Sequence, residues 1–474
     1  MNSMDLARST LKITAAKVGS LVLTFVGAAF FAQELGATLL GIFFLFQAVL
    51  GISALPANLG TRIAVEKRIS EGGPADRILG TGIALKSALL AIITGVILLF
   101  ESHLNQYIGA EVAGLLILAI FLQEFAGLMM NVLKGELRVG ETATLSFAYS
   151  VVWIPLGVLL VVLDYGVTGL IYAVIAGKTL QLLWAIHKTS VGIGRPTRTQ
   201  AHSLIDYAKY SIIPEIDGQV HSWLDVLIIG LFLAQADVGS YEVAWRVAAP
   251  VLLLTGAIGT TIFPQISSWS ADDVIEPLER LLPKVIVPSV IFVFPAFFGG
   301  LLLSEEILGL IFGKEFTAAW LALIILLAGK LPRAIRQIAG KSLLGLDRPD
   351  LVTHAAIVDI IANLLLNLVL IWQFGIVGAA LGTVLSMTLG TIHRTYYLSQ
   401  FVKITIPYNE LGWCLLSSVA MYGILYIAKS TVEINSIIHL FGFVFAGAVL
   451  YGVFILLYQP LRVEVVERTR AVIR

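Results

Sequence analysis

The chain has little of what a soluble protein contains. Only 13% of its 474 residues are Asp, Glu, Lys or Arg, about half the share of a soluble domain. No stretch is polar enough to form a soluble domain. The net formal charge is zero, so the charge balance indicates no nucleic-acid partner. The single cysteine, Cys414, excludes an intrachain disulfide and any metal site built from several cysteines.

Sequence motifs of common enzymes are also absent. Gly177-Lys178-Thr179 and Gly340-Lys341-Ser342 resemble the end of a P-loop, but Tyr172 and Ile335 stand where that motif requires its first glycine. ATP is therefore not expected as the direct energy source. There is no HExxH sequence, no nucleophile elbow and no metal-spaced set of Cys and His. We expect no cofactor, no metal and no enzymatic activity.

Apolar runs of about 20 residues fill the length of the chain, and 58% of the residues are hydrophobic. The sequence predicts an all-α polytopic membrane protein with about 14 transmembrane helices, because helices satisfy their backbone groups inside lipid. The connections predicted to face outward hold only two basic residues, Lys314 and Lys429. By the positive-inside rule, we expect a multi-pass protein of the cell membrane with both termini in the cytoplasm.

Short fragments recur at near-constant offsets, which favours a duplicated helical bundle over chance recurrence in a glycine-rich chain. The pairs are Gly135-Glu136-Leu137-Arg138 with Gly345-Leu346-Asp347-Arg348, Tyr165-Gly166-Val167-Thr168-Gly169 with Phe374-Gly375-Ile376-Val377-Gly378, and Leu40-Gly41-Ile42-Phe43 with Val238-Gly239-Ser240-Tyr241. An even number of spans per copy gives both copies one orientation, with a substrate path expected between them.

The repeat predicts two pseudo-symmetric six-helix bundles followed by two further helices. The expected ranges are 1–190 for the first bundle, 191–206 for a cytoplasmic linker, 207–400 for the second bundle, and 401–474 for the two extra helices and a cytoplasmic tail. The extra helices either form an accessory hydrophobic groove or serve as plain packing.

Charged residues interrupt the spans in the middle of the chain. Asp217, His221 and Asp225 are spaced i, i+4, i+8 and share one face of a helix, and Arg246 falls inside the next span. A charge facing lipid costs at least about 2.5–3.5 kcal/mol, so these side chains are expected to face a watery cavity or a partner. The alternative is that Asp225 and Arg246 only hold two helices together.

The ordered fragments resemble a known family. They are Ala32-Gln33-Glu34-Leu35-Gly36, Gly41-Ile42-Phe43, Asn58-Leu59-Gly60-Thr61-Arg62, Asp225-Val226-Leu227-Ile228-Ile229-Gly230, Val238-Gly239-Ser240-Tyr241, Phe263-Pro264-Gln265-Ile266-Ser267, Phe312-Gly313-Lys314-Glu315-Phe316 and Gly375-Ile376-Val377-Gly378-Ala379-Ala380. The chain resembles Wzx-like polysaccharide flippases of the multidrug/oligosaccharidyl-lipid/polysaccharide (MOP) exporter superfamily. The resemblance implies two bundles around a central cavity, alternating access, and a glycan carried on a polyprenyl phosphate or pyrophosphate.

Basic residues inside spans are candidates for binding the substrate phosphate. Lys330, Arg333 and Arg336 share one face of a helix, although they are equally consistent with a helix end reaching the headgroups. The resemblance implies a cavity-lining role for Arg246. The remaining cationic candidates are Arg62, Lys17 and Lys178.

Acidic residues inside spans are candidates for coupling transport to protons or sodium: Glu124, Asp217, Asp225 and Asp359. His221 is a candidate for the same role because histidine is the side chain suited to proton exchange, but a histidine satisfied by packing is the simpler interpretation. Asn363 and Asn367, spaced i, i+4, either touch sugar or bond across helices.

Three functions fit the pattern to different degrees. The favoured one is a flippase that moves a polyprenyl- or dolichyl-linked oligosaccharide to the outer leaflet, for surface polysaccharide or glycoprotein assembly. Its expected partners are the lipid-linked substrate, membrane lipids, and glycosyltransferases or an oligosaccharyltransferase of the same pathway. A cation-coupled multidrug exporter is the first alternative. A membrane glycan polymerase or ligase is the second, disfavoured by the lack of a long outer loop.

Overall fold

The computed structural model describes residues 3–272 and 274–463, with side chains from Gly19 onward except those of residues 210, 211, 213–215 and 217. Within these ranges the chain forms helices and short connecting segments, with no strand. The predicted fold class, an all-α polytopic membrane protein, is confirmed.

Nine α-helices form the first half of the described chain. They are α1 (Ser3–Asn58), α2 (Thr61–Ser70), α3 (Ala75–Leu99), α4 (Glu101–Ile108), α5 (Ala113–Gly135), α6 (Val139–Val162), α7 (Gly166–Lys188), α8 (Arg198–Phe232) and α9 (Gln235–Ala248). Helix α8 begins at an N-cap, where the Thr197 hydroxyl accepts a hydrogen bond from the Gln200 backbone N–H at 3.3 Å.

Eight further α-helices follow, with three short helical segments of other types between them. The α-helices are α10 (Leu253–Ala271), α11 (Glu276–Val290), α12 (Val293–Glu306), α13 (Trp320–Ala328), α14 (Lys330–Gly345), α15 (Pro349–Ser399), α16 (Tyr408–Thr431) and α17 (Ile437–Leu457). The short segments are the 3₁₀ turns Ala249–Leu252 and Lys314–Ala319 and the π-helical turn Ile307–Phe312.

Eleven helical segments of the described chain are long and apolar enough to cross a membrane. Two of them contain a glycine with positive φ, Gly36 at 73° and Gly375 at 58°, where the helical backbone is broken. Helix α15 has 51 residues, about 75 Å at 1.5 Å per residue, which is far longer than one crossing needs. Each glycine therefore divides a long helix into two segments, and the count of about fourteen spans stays a prediction.

The chain packs as two compact units that meet in sequence between Gly239 and Ser240. In the first unit, α8 packs against α1, α2 and α3, whereas the sequence placed this helix at the start of the second bundle. Only residues 189–197 connect α7 to α8, which is shorter than the expected linker. The predicted domain ranges themselves stay a prediction.

The two fragments of the predicted repeat that end α5 and α14 form the same turn. Leu137 and Asp347 both have positive φ, 62° and 57°. The Arg138 N–H donates to the Leu133 carbonyl at 2.9 Å, and the Arg348 N–H donates to the Leu343 carbonyl at 3.0 Å. This six-residue closure satisfies carbonyl groups that a helix end otherwise leaves unpaired. An equal turn at both positions is what a duplicated bundle predicts.

The last two helices belong to the second unit and pack against its helix α12. Cys414, Met421 and Leu440 are buried together with Leu302 and Leu303 in one hydrophobic cluster. Two polar contacts fix the arrangement: the Lys429 ammonium lies 2.5 Å from a Glu306 carboxylate oxygen, and the Tyr451 hydroxyl donates to the Ile291 carbonyl at 2.7 Å. These contacts give α16 and α17 a packing role in this unit.

Candidate functional site

The first unit contains a cavity of about 620 Å³ with polar walls. Its lining side chains come from α1, α2, α5, α7 and α8, and include three cations and five amides. They are Asn58, Arg62, Ile63, Gln123, Gly127, Met130, Asn131, Lys134, Lys178, Gln181 and Gln219. None of these eleven residues is acidic. A cavity with this lining is suited to an anion that carries hydroxyl groups.

One face of α5 supplies a wall of the cavity. Gly127, Asn131 and Lys134 lie at positions i, i+4 and i+7, so they follow one stripe of the helix. The opposite face carries Leu128, Val132 and Leu133, which are buried in the hydrophobic cluster of the unit. The amphipathic pattern of α5 therefore points polar groups into the cavity while its apolar face packs.

A break in the backbone positions Asn58 and Arg62 at the cavity. Helix α1 ends at Asn58, and Leu59 and Gly60 both have positive φ before α2 begins at Thr61. The Asn58 side-chain oxygen accepts from the Arg62 backbone N–H at 3.1 Å, and the Thr61 hydroxyl donates to the Asn58 carbonyl at 2.7 Å. Non-helical backbone inside a membrane is tolerated beside a polar cavity, and residues on both sides of this break line such a cavity.

A buried carboxylate lies beneath the cavity between two cations. The side chains of Glu124 on α5 and Lys86 on α3 are both 0% exposed, and their charged atoms are 2.6 Å apart. The other Glu124 oxygen accepts a hydrogen bond from the Arg62 guanidinium, which is 19% exposed. Lys86 also donates to the Asn58 side-chain oxygen at 3.2 Å. Two cations face one carboxylate, so the cluster has a net positive charge.

Gly127 provides the space in which the Arg62 guanidinium lies. A Cβ atom built on Gly127 would be 2.6 Å from Arg62 Cζ and 2.7 Å from its Nε. Glycine at this position therefore allows the guanidinium to lie directly against α5. Since Gly127 follows Glu124 by three residues, the same helix face supplies both the counter-ion and the space.

The other two cavity cations form no ion pair with any residue that the structure describes. Lys178 on α7 lies over the ring of Tyr149, with its ammonium 4.6 Å from the ring centroid. Lys134 donates to the Asn131 side-chain oxygen at 3.0 Å. Aromatic and amide partners orient these ammonium groups without neutralising them. Both remain available to an anion in the cavity.

The second unit also buries a carboxylate between two cations. Asp359 is fully buried on α15, and one of its oxygens, Oδ2, lies 2.9 Å from Arg336 on α14 and 2.6 Å from Arg394 on the second segment of α15. The other oxygen, Oδ1, faces Gly390, where a Cβ atom would lie 1.9 Å from it. Asp359 therefore ties α14 to both segments of α15.

Further polar side chains lie between the two segments of α15. Asn363 donates from its side-chain nitrogen to the Ser386 hydroxyl at 3.1 Å, and both residues are buried. The Asn367 side-chain oxygen would lie 2.8 Å from a Cβ atom on Gly382. The alternative in which Asn363 and Asn367 connect helices thus fits the geometry, since both lie between the two segments of α15.

Two more cations of the second unit share one aromatic ring. The Lys330 ammonium lies 4.4 Å from the centroid of Trp245, and the Arg333 guanidinium carbon lies 5.2 Å from it. Lys330 is almost completely buried, which argues against a helix end reaching the lipid headgroups. The stripe of Lys330, Arg333 and Arg336 is therefore divided: two members contact Trp245, and the third contacts Asp359.

Arg246 forms an ion pair with Glu242 one turn earlier on α9, at 3.0 Å, and Glu242 is buried. Asp225 is buried on α8, and His221 is half-buried one turn before it. Two predicted candidates, Lys17 and Asp217, lie outside the residues whose side chains are described. Among the described residues, no group of three or more His, Cys, Asp or Glu side chains is placed to hold a metal ion.

The structure thus brings together Arg62, Lys178 and Glu124 in one unit, and Arg336 and Asp359 in the other. Sequence reasoning missed Lys86, Lys134 and Arg394 as site residues. Lys86 had a usable signal, since it is a lysine in the middle of an apolar run. The amides of the cavity had none, because an amide inside a span equally often bonds across helices.

Residues 77–321 match a family model described as polysaccharide biosynthesis protein. Among its relatives, the chain is 46% identical to the probable low-salt glycan biosynthesis flippase Agl15 of Haloferax volcanii over 97% of each chain. It is 31% identical to the probable flippase AglR of the same organism over 92% of each chain.

Among solved structures, the chain is similar to a lipid II flippase MurJ in its inward closed conformation. The TM-score is 0.81 at 15% identity, with 98% of this chain and 99% of that chain covered. An inward-facing multidrug resistance MATE family transporter of the MOP superfamily gives 0.65 at 18% identity over 80% and 94%. At such identities the similarity concerns the fold. The family match and the nearly full-length relatives decide the assignment: the chain belongs to the polysaccharide biosynthesis protein family, and these relatives are probable flippases.

Proposed function

We propose that this flippase moves an oligosaccharide linked to polyprenyl or dolichyl phosphate or pyrophosphate from the cytoplasmic to the outer leaflet. The observation that carries the proposal is the cavity of the first unit, whose lining combines three cations and five amides with no acidic residue. The product would supply surface polysaccharide or protein-linked glycan assembly. The relatives named for glycan biosynthesis and for flipping support this class of cargo.

The cations suit the phosphate of such a cargo. Lys178 and Lys134 form no ion pair with described residues, and Arg62 shares its carboxylate with Lys86. An anion entering the cavity therefore meets positive charges that protein groups have not cancelled. Charge-assisted hydrogen bonds to phosphate are stronger than neutral ones, and a membrane-depth site screens them little.

The amides suit the sugar. Asn58, Gln123, Asn131, Gln181 and Gln219 each offer both donors and acceptors to the cavity. Sugar hydroxyls are donors and acceptors too, so amides can bond them in several arrangements without a fixed charge pattern. Such a lining tolerates different glycans, and the phosphate rather than one sugar would determine binding.

The cationic cluster of the second unit supplies a further anion contact in this proposal. Lys330 and Arg333 lie against Trp245, so their charges are oriented by an aromatic ring. Asp225, Glu124 and Asp359 stay candidates for ion coupling. For Glu124 and Asp359, however, the cationic partners give each carboxylate another role. The chain acts in this proposal as a transporter that catalyses no covalent step.

The proposed orientation in the membrane rests on charge asymmetry. We place both termini in the cytoplasm and the protein in the cell membrane, because the predicted outer connections are nearly free of Lys and Arg. Delivery of cargo from that side requires glycosyltransferases there, and an oligosaccharyltransferase or a polymerase on the other side would consume it.

A complementation experiment tests this function. A strain lacking the gene should accumulate lipid-linked glycan in the inner leaflet, and the wild-type chain should clear it. The double variant R62M/K178M should accumulate as the empty strain does, while R280Q, which breaks an exposed ion pair with Glu276, should behave as wild type. An unchanged lipid-linked glycan pool in the deletion strain, together with new drug sensitivity, would replace the proposal with a drug exporter.

A further inference from the structure

We propose that Lys86 and Glu124 are positioning residues that control whether Arg62 binds the transported anion. The inference rests on the proposed function, since it takes the cavity of the first unit as the anion site. Glu124 holds Arg62 while the cavity lacks an anion, and Lys86 keeps the Glu124 charge compensated when Arg62 turns to the anion. Arg62 would thus exchange one anionic partner for another in each transport cycle.

The geometry separates the two partners of Glu124. Lys86 contacts one carboxylate oxygen at 2.6 Å, and Arg62 contacts the other. The loss of either contact therefore leaves the other in place. Lys86 is fully buried and also bonds the Asn58 side chain, so it is fixed. Arg62 is the partner that reaches the cavity, and its Nε is buried without a hydrogen-bond acceptor among the described residues.

The charge balance allows the exchange. A buried carboxylate left alone is strongly unfavourable, because its hydration is lost and nothing replaces it. With Lys86 bound, Glu124 belongs to a neutral pair even after Arg62 departs. Without Lys86, Arg62 would be the one described residue that still forms an ion pair with Glu124, and it would be held there. The fully buried lysine thus accounts for how an arginine already in an ion pair serves an outside anion.

The exchange predicts whether each substitution raises or lowers the affinity of the purified full-length protein for inorganic pyrophosphate. Glu124→Gln removes the competitor for Arg62, so the affinity should rise. Lys86→Met strengthens the hold of Glu124 on Arg62, so the affinity should fall. Each change should be roughly 5- to 150-fold, the range in which two linked binding events usually influence each other. The double variant K86M/E124Q should bind as tightly as E124Q, since no carboxylate remains to hold Arg62.

A plain effect of charge on a nearby anion predicts a different pattern. The charge changes of K86M and E124Q would cancel, and the double variant would match wild type. In an R62M background, charge effects would persist, whereas the exchange predicts that K86M and E124Q then lose their effect. The measurement is isothermal titration calorimetry in detergent, with thermal unfolding of each variant as a folding control. The neutral double variant keeps the test usable if K86M does not fold.

Each outcome decides between these accounts. The exchange would be supported if E124Q and K86M/E124Q bind pyrophosphate tightly and K86M binds it weakly. In the R62M background, K86M and E124Q should then no longer change the affinity. A double variant that matches wild type, or effects that persist without Arg62, would overturn it and leave the anion site intact. No pyrophosphate binding by any protein would overturn the anion site and the exchange together. The complementation experiment decides separately whether the chain transports glycan.

Discussion

Each unit buries one carboxylate between two cations, but the two clusters hold it differently. In the first unit the cations contact separate oxygens of Glu124, and one of them, Arg62, reaches a cavity. In the second unit both arginines contact the same oxygen of Asp359, which joins α14 to two segments of α15. A buried ion cluster can hold helices together or can supply a charge that binds a ligand. Which role it has depends on whether one of its cations can leave the carboxylate.

The ion cluster around Asp359, which holds helices together, should be the most sensitive to mutation. Asp359→Asn leaves Arg394, 4% exposed, and Arg336, 12% exposed, without their shared counter-ion. We expect a loss of about 3–5 kcal/mol in the free energy of unfolding, as for other broken buried pairs. Unfolding in detergent measures it. The control is Asp350→Asn, whose pair with Arg348 is exposed and should contribute about 1 kcal/mol or less. A loss as small as that of the control would remove the distinction between the clusters.

Lys178→Met tests the opposite property, a charge that holds no helices together. Lys178 forms no ion pair with described residues, so the free energy of unfolding should stay the same or rise. Transport should fall by roughly 10- to 150-fold, the equivalent of about 1.5–3 kcal/mol for a hydrogen bond to a charged group. The rate of lipid-linked glycan translocation measures it. Equal losses of folded protein and of transport would make Lys178 a packing residue.

Glu124→Gln should destabilise less than Asp359→Asn. Arg62 is free to turn to the cavity, so only one cation, Lys86, loses its counter-ion, and Lys86 keeps its bond to the Asn58 side chain. We expect about 1–3 kcal/mol in the free energy of unfolding, the usual cost of one poorly satisfied buried group. Parallel unfolding of the two variants makes the comparison. A loss equal to that of Asp359→Asn would show that Glu124 fastens helices as well.

Gly127→Ala should have the smallest effect. The added Cβ would lie 2.6 Å from Arg62 Cζ, but the guanidinium is the end of a flexible side chain and can move into the cavity. We expect a change in unfolding free energy under about 1 kcal/mol and a change in transport under about tenfold. The matched control is Gly423→Ala on α16, which has nothing within 4 Å. A large stability loss in G127A alone would mean that Arg62 cannot leave Glu124.

Much of the fold followed from the sequence because its signals are local. Apolar runs predicted the helices, and the fragments around Leu137 and Asp347, which were predicted to be repeats, form the same kind of turn. Gly36 and Gly375 break long helices because glycine adopts positive φ without steric penalty. The packing of α8 with the first unit was not predicted, because hydropathy alone does not determine which helices a span packs against.

The site was only partly predictable for the same reason. Charges inside spans singled out Arg62, Lys178 and Glu124, which the structure brings to one cavity or beneath it. Pairing could not be read from spacing, because Lys86 and Glu124 are 38 residues apart in sequence. Arg246 illustrates the local exception: its partner Glu242 lies at i−4, a spacing that the sequence already contained.

Reconstituted translocation is the most direct test of the cavity as the cargo site. Liposomes would hold the purified chain and a fluorescent disaccharide on a short-chain polyprenyl pyrophosphate, with impermeant quencher reporting the outer leaflet. We expect translocation by the wild type and R280Q, whereas liposomes with R62M/K178M should translocate only at the rate of protein-free liposomes. Translocation at the wild-type rate by a folded R62M/K178M variant would show that the cavity is not the cargo site.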